Sequence, residues 1–194
     1  MNLSIVHQDK FSRGQLILRT LFGWLYIGIP HGFILFFLFI WSAILQFVTF
    51  WVALFTAKFP ESMFNYQVNL QRWSLRLSGS LLNLYDGYPH FGLAPKDEKV
   101  VLEVPRPERV SRLLVLLRTI FGVIYVYIPH GICLAGRSIA AFVVAFIAWW
   151  VVLFTGKYPE KWHGFVVGTY RWSTRLSLYM GYMTDEYPKF SGKP

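Results

Sequence analysis

Residues 14–56 read GQLILRTLFGWLYIGIPHGFILFFLFIWSAILQFVTFWVALFT. A single charged residue, Arg19, interrupts this apolar run. As one straight helix the stretch would extend about 64 Å at 1.5 Å per residue, twice the roughly 30 Å hydrocarbon core of a bilayer. It must break, and Pro30-His31-Gly32 is the obvious place, because proline loses a helix hydrogen bond and glycine tolerates a turn. The expectation is a helical hairpin in which Phe33–Thr56 spans. Leu16–Ile29 is then a shorter arm, either tilted with Arg19 reaching the head groups or re-entrant.

The same reading applies twice. Sliding the chain by 99 residues aligns 12–91 with 111–190 without a gap, and about 34 of those positions are identical. Ile29-Pro30-His31-Gly32 returns as Ile128-Pro129-His130-Gly131, and Arg72-Trp73-Ser74-Leu75-Arg76 as Arg171-Trp172-Ser173-Thr174-Arg175. Asp86-Gly87-Tyr88-Pro89-His90-Phe91 returns as Asp185-Glu186-Tyr187-Pro188-Lys189-Phe190. Self-similarity at one fixed period marks a duplicated unit. The expected organisation is a first unit over 1–91 (hairpin about 14–56, interfacial helix about 61–85) and a second over 111–194 (hairpin about 113–155, interfacial helix about 160–183). Between them, Gly92–Val110 carries prolines and mixed charges and reads as an exposed aqueous linker, with a short extended piece at Val100–Val104.

Composition excludes a soluble domain: 55% of residues are hydrophobic and 15% charged, against about 25% charged in soluble proteins. The formal charge of +9 does not indicate nucleic acid, because the basic residues flank long apolar runs instead of forming a face on a soluble body. Met1–Lys10 lacks the basic and apolar regions of a cleaved signal peptide. Cys133, the one cysteine, lies in an apolar run and reads as a buried structural thiol.

Charge sets the topology. If both units are hairpins, 18 of the 19 basic residues, Lys96 included, fall on one side, which the positive-inside rule makes cytoplasmic. Arg137 alone falls at the far end of a hairpin, where it would snorkel to the outer head groups. Both termini are then cytoplasmic, and the repeats are parallel about an axis along the membrane normal. After Pro60 and Pro159 each unit continues as an amphipathic helix. Tyr66, Leu70, Trp73, Leu77, Leu81 and Leu84 form an apolar stripe, and Asn65, Asn69, Arg72, Arg76 and Asn83 line another face. The fold class expected is all-α integral membrane.

The run Leu153–Glu160 (LFTGKYPE), Arg171-Trp172 with Arg175, and Thr184–Phe190 (TDEYPKF) resembles a bacterial inner-membrane family catalogued as domain of unknown function 4389, in two tandem copies. The first unit departs from the pattern: Ala57 replaces the glycine, and Leu84-Tyr85-Asp86-Gly87 replaces the threonine–aspartate–acidic turn. The resemblance implies an integral membrane protein and no established activity.

Three elements are candidates for function. Arg72 and Arg76, like Arg171 and Arg175, stand one helical turn apart beside Trp73 or Trp172, and two guanidiniums there suit an anionic phospholipid head group. The competing structural reading pairs Arg76 with Asp86 and Arg175 with Asp185; a protein partner is the third. His31 and His130 recur at the turns and raise haem or metal ligation, but no carboxylate or cysteine accompanies them at ligand spacing, so no metal or cofactor is expected. Ser42, Gln46 and Thr49 fall at helical spacing and would line a pore, yet their counterparts are Ala141, Ala145 and Ala148. Enzymatic signatures are lacking. The expected function is a non-catalytic inner-membrane scaffold, accessory or regulatory subunit contacting anionic lipid, other membrane proteins or copies of itself. A small oligomeric channel or carrier is the alternative, and a haem-binding electron-transfer subunit the distant one.

Overall fold

The computed structural model describes residues 1–93 and 97–194; Lys96 and the adjoining part of the linker lie outside the described residues. The described residues form β1 (Asn2–Ile5), α1 (Arg13–Thr56), α2 (Glu61–Leu81), β2 (Val100–Glu103), α3 (Arg112–Thr155) and α4 (Glu160–Met180). The protein is mainly helical, and α1 and α3, at 44 residues each, are long and apolar enough to cross a membrane.

The expected turns at Pro30-His31-Gly32 and Pro129-His130-Gly131 are not turns. All six residues are helical, and α1 and α3 run through them. The reason lies just upstream, where Trp24–Gly28 and Val123–Tyr127 are π-helical turns. There Ile29 N–H reaches back five residues to Trp24 O, and Ile128 N–H to Val123 O. Proline follows at the start of the next α-helical stretch, and its missing N–H leaves the carbonyl four residues back without its usual partner. That carbonyl is supplied from elsewhere. Tyr88 donates to Tyr26 O at 3.3 Å and Tyr187 to Tyr125 O at 3.0 Å.

The long helices exchange ends. Phe11 N–H donates to Gly156 O and Val110 N–H to Ala57 O; Arg13 donates to Phe154 O and Arg112 to Phe55 O. Each bond is the other's image at the 99-residue shift. The half of each long helix after its proline meets the first half of the other long helix. A π turn followed by proline is an ordinary cause of a bend, and each long helix carries one.

The linker is not simply exposed. Val100–Glu103 pairs antiparallel with Asn2–Ile5, a segment whose sequence suggests no element of its own, and Leu3 lies opposite Leu102. Those leucines are themselves 99 residues apart. Arg72 donates to Leu102 O at 2.7 Å and Arg171 to Leu3 O at 2.9 Å, so each short helix grips the strand that precedes the other unit. Leu3 and Leu102 join Phe11, Val110, Phe64 and Val166 in one continuous core. The short helices end at Leu81 and Met180, earlier than expected. Burial on α2 also goes beyond an apolar stripe, since Arg76 from the polar face is fully buried while Asn65 stays exposed.

Three single-residue expectations are corrected. Arg19 does not reach for head groups; it is 4% exposed and paired inside. Arg137 does not stand apart, because it donates to Thr169 Oγ1 at 3.1 Å and covers the Phe165 ring on α4. Cys133 is exposed on α3.

Candidate functional site

The recurring motifs come together in one cluster per unit. Trp73 Nε1 donates to His31 Nδ1 at 2.8 Å, and Trp172 Nε1 to His130 Nδ1 at 2.9 Å. Phe91 stacks on His31, and Phe190 on His130, with ring centroids 3.8 Å apart in both. Tyr88 and Tyr187 complete the set, 5.4 and 5.3 Å from the imidazoles and in ring contact with the same phenylalanines. The Pro-His-Gly, Arg-Trp-x-x-Arg and Tyr-Pro-x-Phe motifs are therefore parts of one clamp. It holds the bend of the long helix against the middle of the short one, and it folds the segment after the short helix over both.

This arrangement speaks against ligation. A neutral imidazole whose Nδ1 accepts a hydrogen bond carries its proton on Nε2, which then has no lone pair to offer a metal or haem iron. His31 and His130 are both fully buried, and each Nε2 is without a hydrogen-bond partner among the described residues. No group of three or more His, Cys, Asp or Glu side chains suited to a metal occurs among the described residues.

The arginines are spent on the chain itself. Arg72 binds Leu102 O and Asn69; Arg171 binds Leu3 O and, at 2.6 Å, Gly192 O. Arg76 donates to Gly92 O and lies 3.7 Å from Asp97, and Arg175 donates to Ser191 O and Lys193 O. Burial lowers the Arg72, Arg76 and Arg171 guanidiniums from the usual arginine range, with Asp97 opposing that drop at Arg76.

The expected pairs Arg76–Asp86 and Arg175–Asp185 do not form. Asp86 pairs with Arg19 at 2.7 Å, and Asp185 with Arg118. Each aspartate also accepts a backbone N–H, Asp86 from Ser12 at 2.6 Å and Asp185 from Ser111 at 2.7 Å. One carboxylate therefore ties the turn after the short helix to the first residues of the long one. Arg19 also donates to the Ser80 and Tyr85 carbonyls, and Arg118 to those of Tyr179 and Thr184. The sequence did hold a signal for these pairs. Arg19-Thr20 and Arg118-Thr119 recur as charged residues inside apolar runs, and an arginine in such a run calls for a carboxylate or a backbone carbonyl as partner.

Ser42 and Thr49 turn inward rather than toward a pore. Ser42 Oγ donates to Gln67 Oε1 at 2.7 Å, and Thr49 is fully buried against Met63. The outer surface of both long helices is apolar: Phe33, Phe47, Phe55, Ile132, Phe142 and Phe154 are each about two-thirds exposed.

Fold and site define a mainly helical protein with two helices able to cross a membrane, each clamped at its bend by an imidazole–indole pair. Residues 112–192, the second unit, match the family described as Domain of unknown function (DUF4389). No curated protein and no solved structure matches the chain.

Proposed function

We propose that this chain is a non-catalytic scaffold or accessory subunit of the bacterial inner membrane, made of two tandem parallel units with both termini cytoplasmic. One observation carries the reading: the arginines, the imidazole–indole pairs and the aspartates of the recurring motifs bind the chain's own backbone and side chains, while large apolar side chains line the outside of both long helices. An apolar surface of that extent calls for lipid tails or partner helices. The exchanged ends support a return to the starting side. If the units are related by an axis along the membrane normal, Arg13 and Arg112 lie at one depth. Their contacts with Phe154 and Phe55 then bring the far ends of both helices to that same depth. The anionic-lipid part of the proposal cannot rest on Arg72, Arg76, Arg171 or Arg175, which are engaged internally. It rests instead on exposed cations at the exchanged ends, among them Lys10, Arg13 and Lys157.

Native mass spectrometry from a mild detergent tests this directly. Retained phospholipid or a retained partner protein is expected; a bare chain that conducts ions or solutes in liposomes overturns the scaffold reading in favour of a channel. Reporter tags at Met1, Gly92 and Pro194 test the orientation, and all three are expected in the cytoplasm.

A further inference from the structure

The two places where the long helices exchange ends are built alike and filled differently. Where the second half of α1 meets the first half of α3, Tyr182 fills the space. Its hydroxyl lies 2.8 Å from Thr119 Oγ1, its ring is 6.2 Å from that of Phe50, and the residue is 8% exposed. At the other junction the residue 99 positions earlier is Asn83, whose side chain has no ring. Trp149, standing where the first junction has Phe50, donates its indole N–H to Thr20 Oγ1 at 2.8 Å and so takes over the hydroxyl's role, but not its volume. A cleft of about 510 Å³ remains between Leu16, Trp24, Phe142, Phe146 and Trp150, within the size range of small-molecule sites.

This cleft is not merely apolar. Tyr158 and Asn83 line it; Tyr158 is 3% exposed and Asn83 9%, and the Tyr158 hydroxyl and Asn83 Oδ1 are both buried with no hydrogen-bond partner among the described residues. Buried polar groups left unpaired are costly, so a guest that supplies their partners is favoured over a plain hydrocarbon. At the junction itself stand three exposed cations: Lys10 next to Phe11, Arg13 on the Phe154 carbonyl, and Lys157 next to Gly156. An apolar slot, two unpaired polar atoms and a cationic rim together describe the parts of one molecule.

We propose that this cleft binds one phosphatidylglycerol molecule. An acyl chain lies between the aromatic walls where Tyr182 lies at the other junction. An ester carbonyl accepts from the Tyr158 hydroxyl, a head-group hydroxyl donates to Asn83 Oδ1, and the phosphate pairs with Lys10, Arg13 and Lys157. The assignment rests on the membrane-embedded scaffold reading and adds a stoichiometry, a lipid class and a place.

The second junction supplies the test, because Asn83→Tyr installs the plug that the protein already uses there. Chain reconstituted with equal phosphatidylglycerol and phosphatidylethanolamine, then delipidated stepwise, is followed by native mass spectrometry, while bromine-labelled acyl chains quench the Trp24, Trp149 and Trp150 fluorescence. The wild type is expected to keep one phosphatidylglycerol per chain. Asn83→Tyr is expected to cut that occupancy at least fivefold and abolish the quenching. Arg13→Gln with Lys157→Gln is expected to erase the preference for phosphatidylglycerol, with Tyr158→Phe reducing occupancy several-fold. If Asn83→Tyr does not fold, Ala145→Leu narrows the same cleft and is read the same way. Undiminished occupancy and quenching in the folded plugged variant overturn the site while leaving the scaffold reading intact. A wild type that retains neither lipid nor partner overturns both.

Discussion

Position 163 and position 64 are the same place in the two units, yet one is histidine and the other phenylalanine. Phe64 meets Phe59 edge-on with centroids 5.5 Å apart, and His163 meets Tyr158 edge-on at 5.6 Å. The packing is held constant while the chemistry changes: His163 Nε2 bonds Leu84 O at 3.0 Å, which a phenylalanine cannot do. The same contrast runs through the molecule. Groups that define the backbone path recur in kind and geometry, among them the imidazole–indole pair, the arginine–aspartate pair and the tyrosine on the orphaned carbonyl. Several groups that fill the space between the units do not recur: Phe50 corresponds to Trp149 at the 99-residue shift, and Tyr182 to Asn83. The units share a scaffold and differ in what fills it.

The shared part should fail equally on both sides. Arg19 and Arg118 are 4% and 1% exposed and each holds a carboxylate and two carbonyls. Arg19→Gln and Arg118→Gln are each expected to lower stability by about 3 kcal/mol, the lower end for a broken buried pair, because either leaves a half-buried carboxylate and two carbonyls without their donor. Thermal unfolding in detergent measures both. A loss confined to one of them would mean that the two aspartates do not do the same work.

These pairs also mark what the sequence can and cannot disclose. The two membrane-length apolar segments and the 99-residue period are legible from residues 14–56 and their copy, because hydrophobic length and self-similarity are local properties of the chain. Partner choice is not. Arg76 and Asp86 are near in sequence, but Tyr85, whose hydroxyl bonds Arg76 O at 2.6 Å, faces Arg76, and the next residue, Asp86, reaches Arg19 instead. The bend escapes a sequence reading for a similar reason. Proline announces a lost hydrogen bond, and nothing local says that a tyrosine 62 residues away will replace it. Strand β1 is hidden because four residues with alternating burial carry little signal until their partner, β2, is known.

The unshared part should respond to pH on one side only. Burial pushes His163 down to about 4, with the nearby His7 adding to the drop and the Leu84 bond and Glu160 opposing it. An unfolded histidine titrates near 6.5. Between those values the unfolded chain binds the proton and the folded chain does not, so this contribution is fully present above about 6.5. It is lost progressively as pH falls toward 4 and then levels off. The loss amounts to about 3 kcal/mol at most. Unfolding free energies measured from pH 7 to 4 should include that slope, and His163→Phe, which installs the first unit's residue, should reduce the total loss by about that amount.

A smaller and symmetric effect is expected at the clamp. Trp73→Phe and Trp172→Phe each remove, among the described residues, the one donor to a buried imidazole nitrogen while keeping most of the ring. Each should cost about 1–3 kcal/mol by leaving that nitrogen unpaired. The test is whether the two losses match within error, since the two geometries differ by 0.1 Å in the bond and by nothing in the stacking distance.

The smallest expected effect separates the units by sign. Each long helix ends in a left-handed residue, Ala57 at φ 56° in the first unit and Gly156 at φ 71° in the second. Both donate N–H back into their helix, to Ala53 O and Val152 O. Glycine adopts this conformation freely, whereas a Cβ there crowds the following carbonyl at about 1–2 kcal/mol. Ala57→Gly should therefore stabilise by about 1 kcal/mol and Gly156→Ala destabilise by a similar amount. A Cβ at 156 would meet nothing closer than Phe11 O at 3.7 Å, so the backbone angle is the sole source of the penalty. Equal and opposite shifts in unfolding free energy are the expected result. If Ala57→Gly is instead neutral or destabilising, the alanine at this helix end is held by contacts that outweigh its strain, and the first unit is not simply a weaker edition of the second.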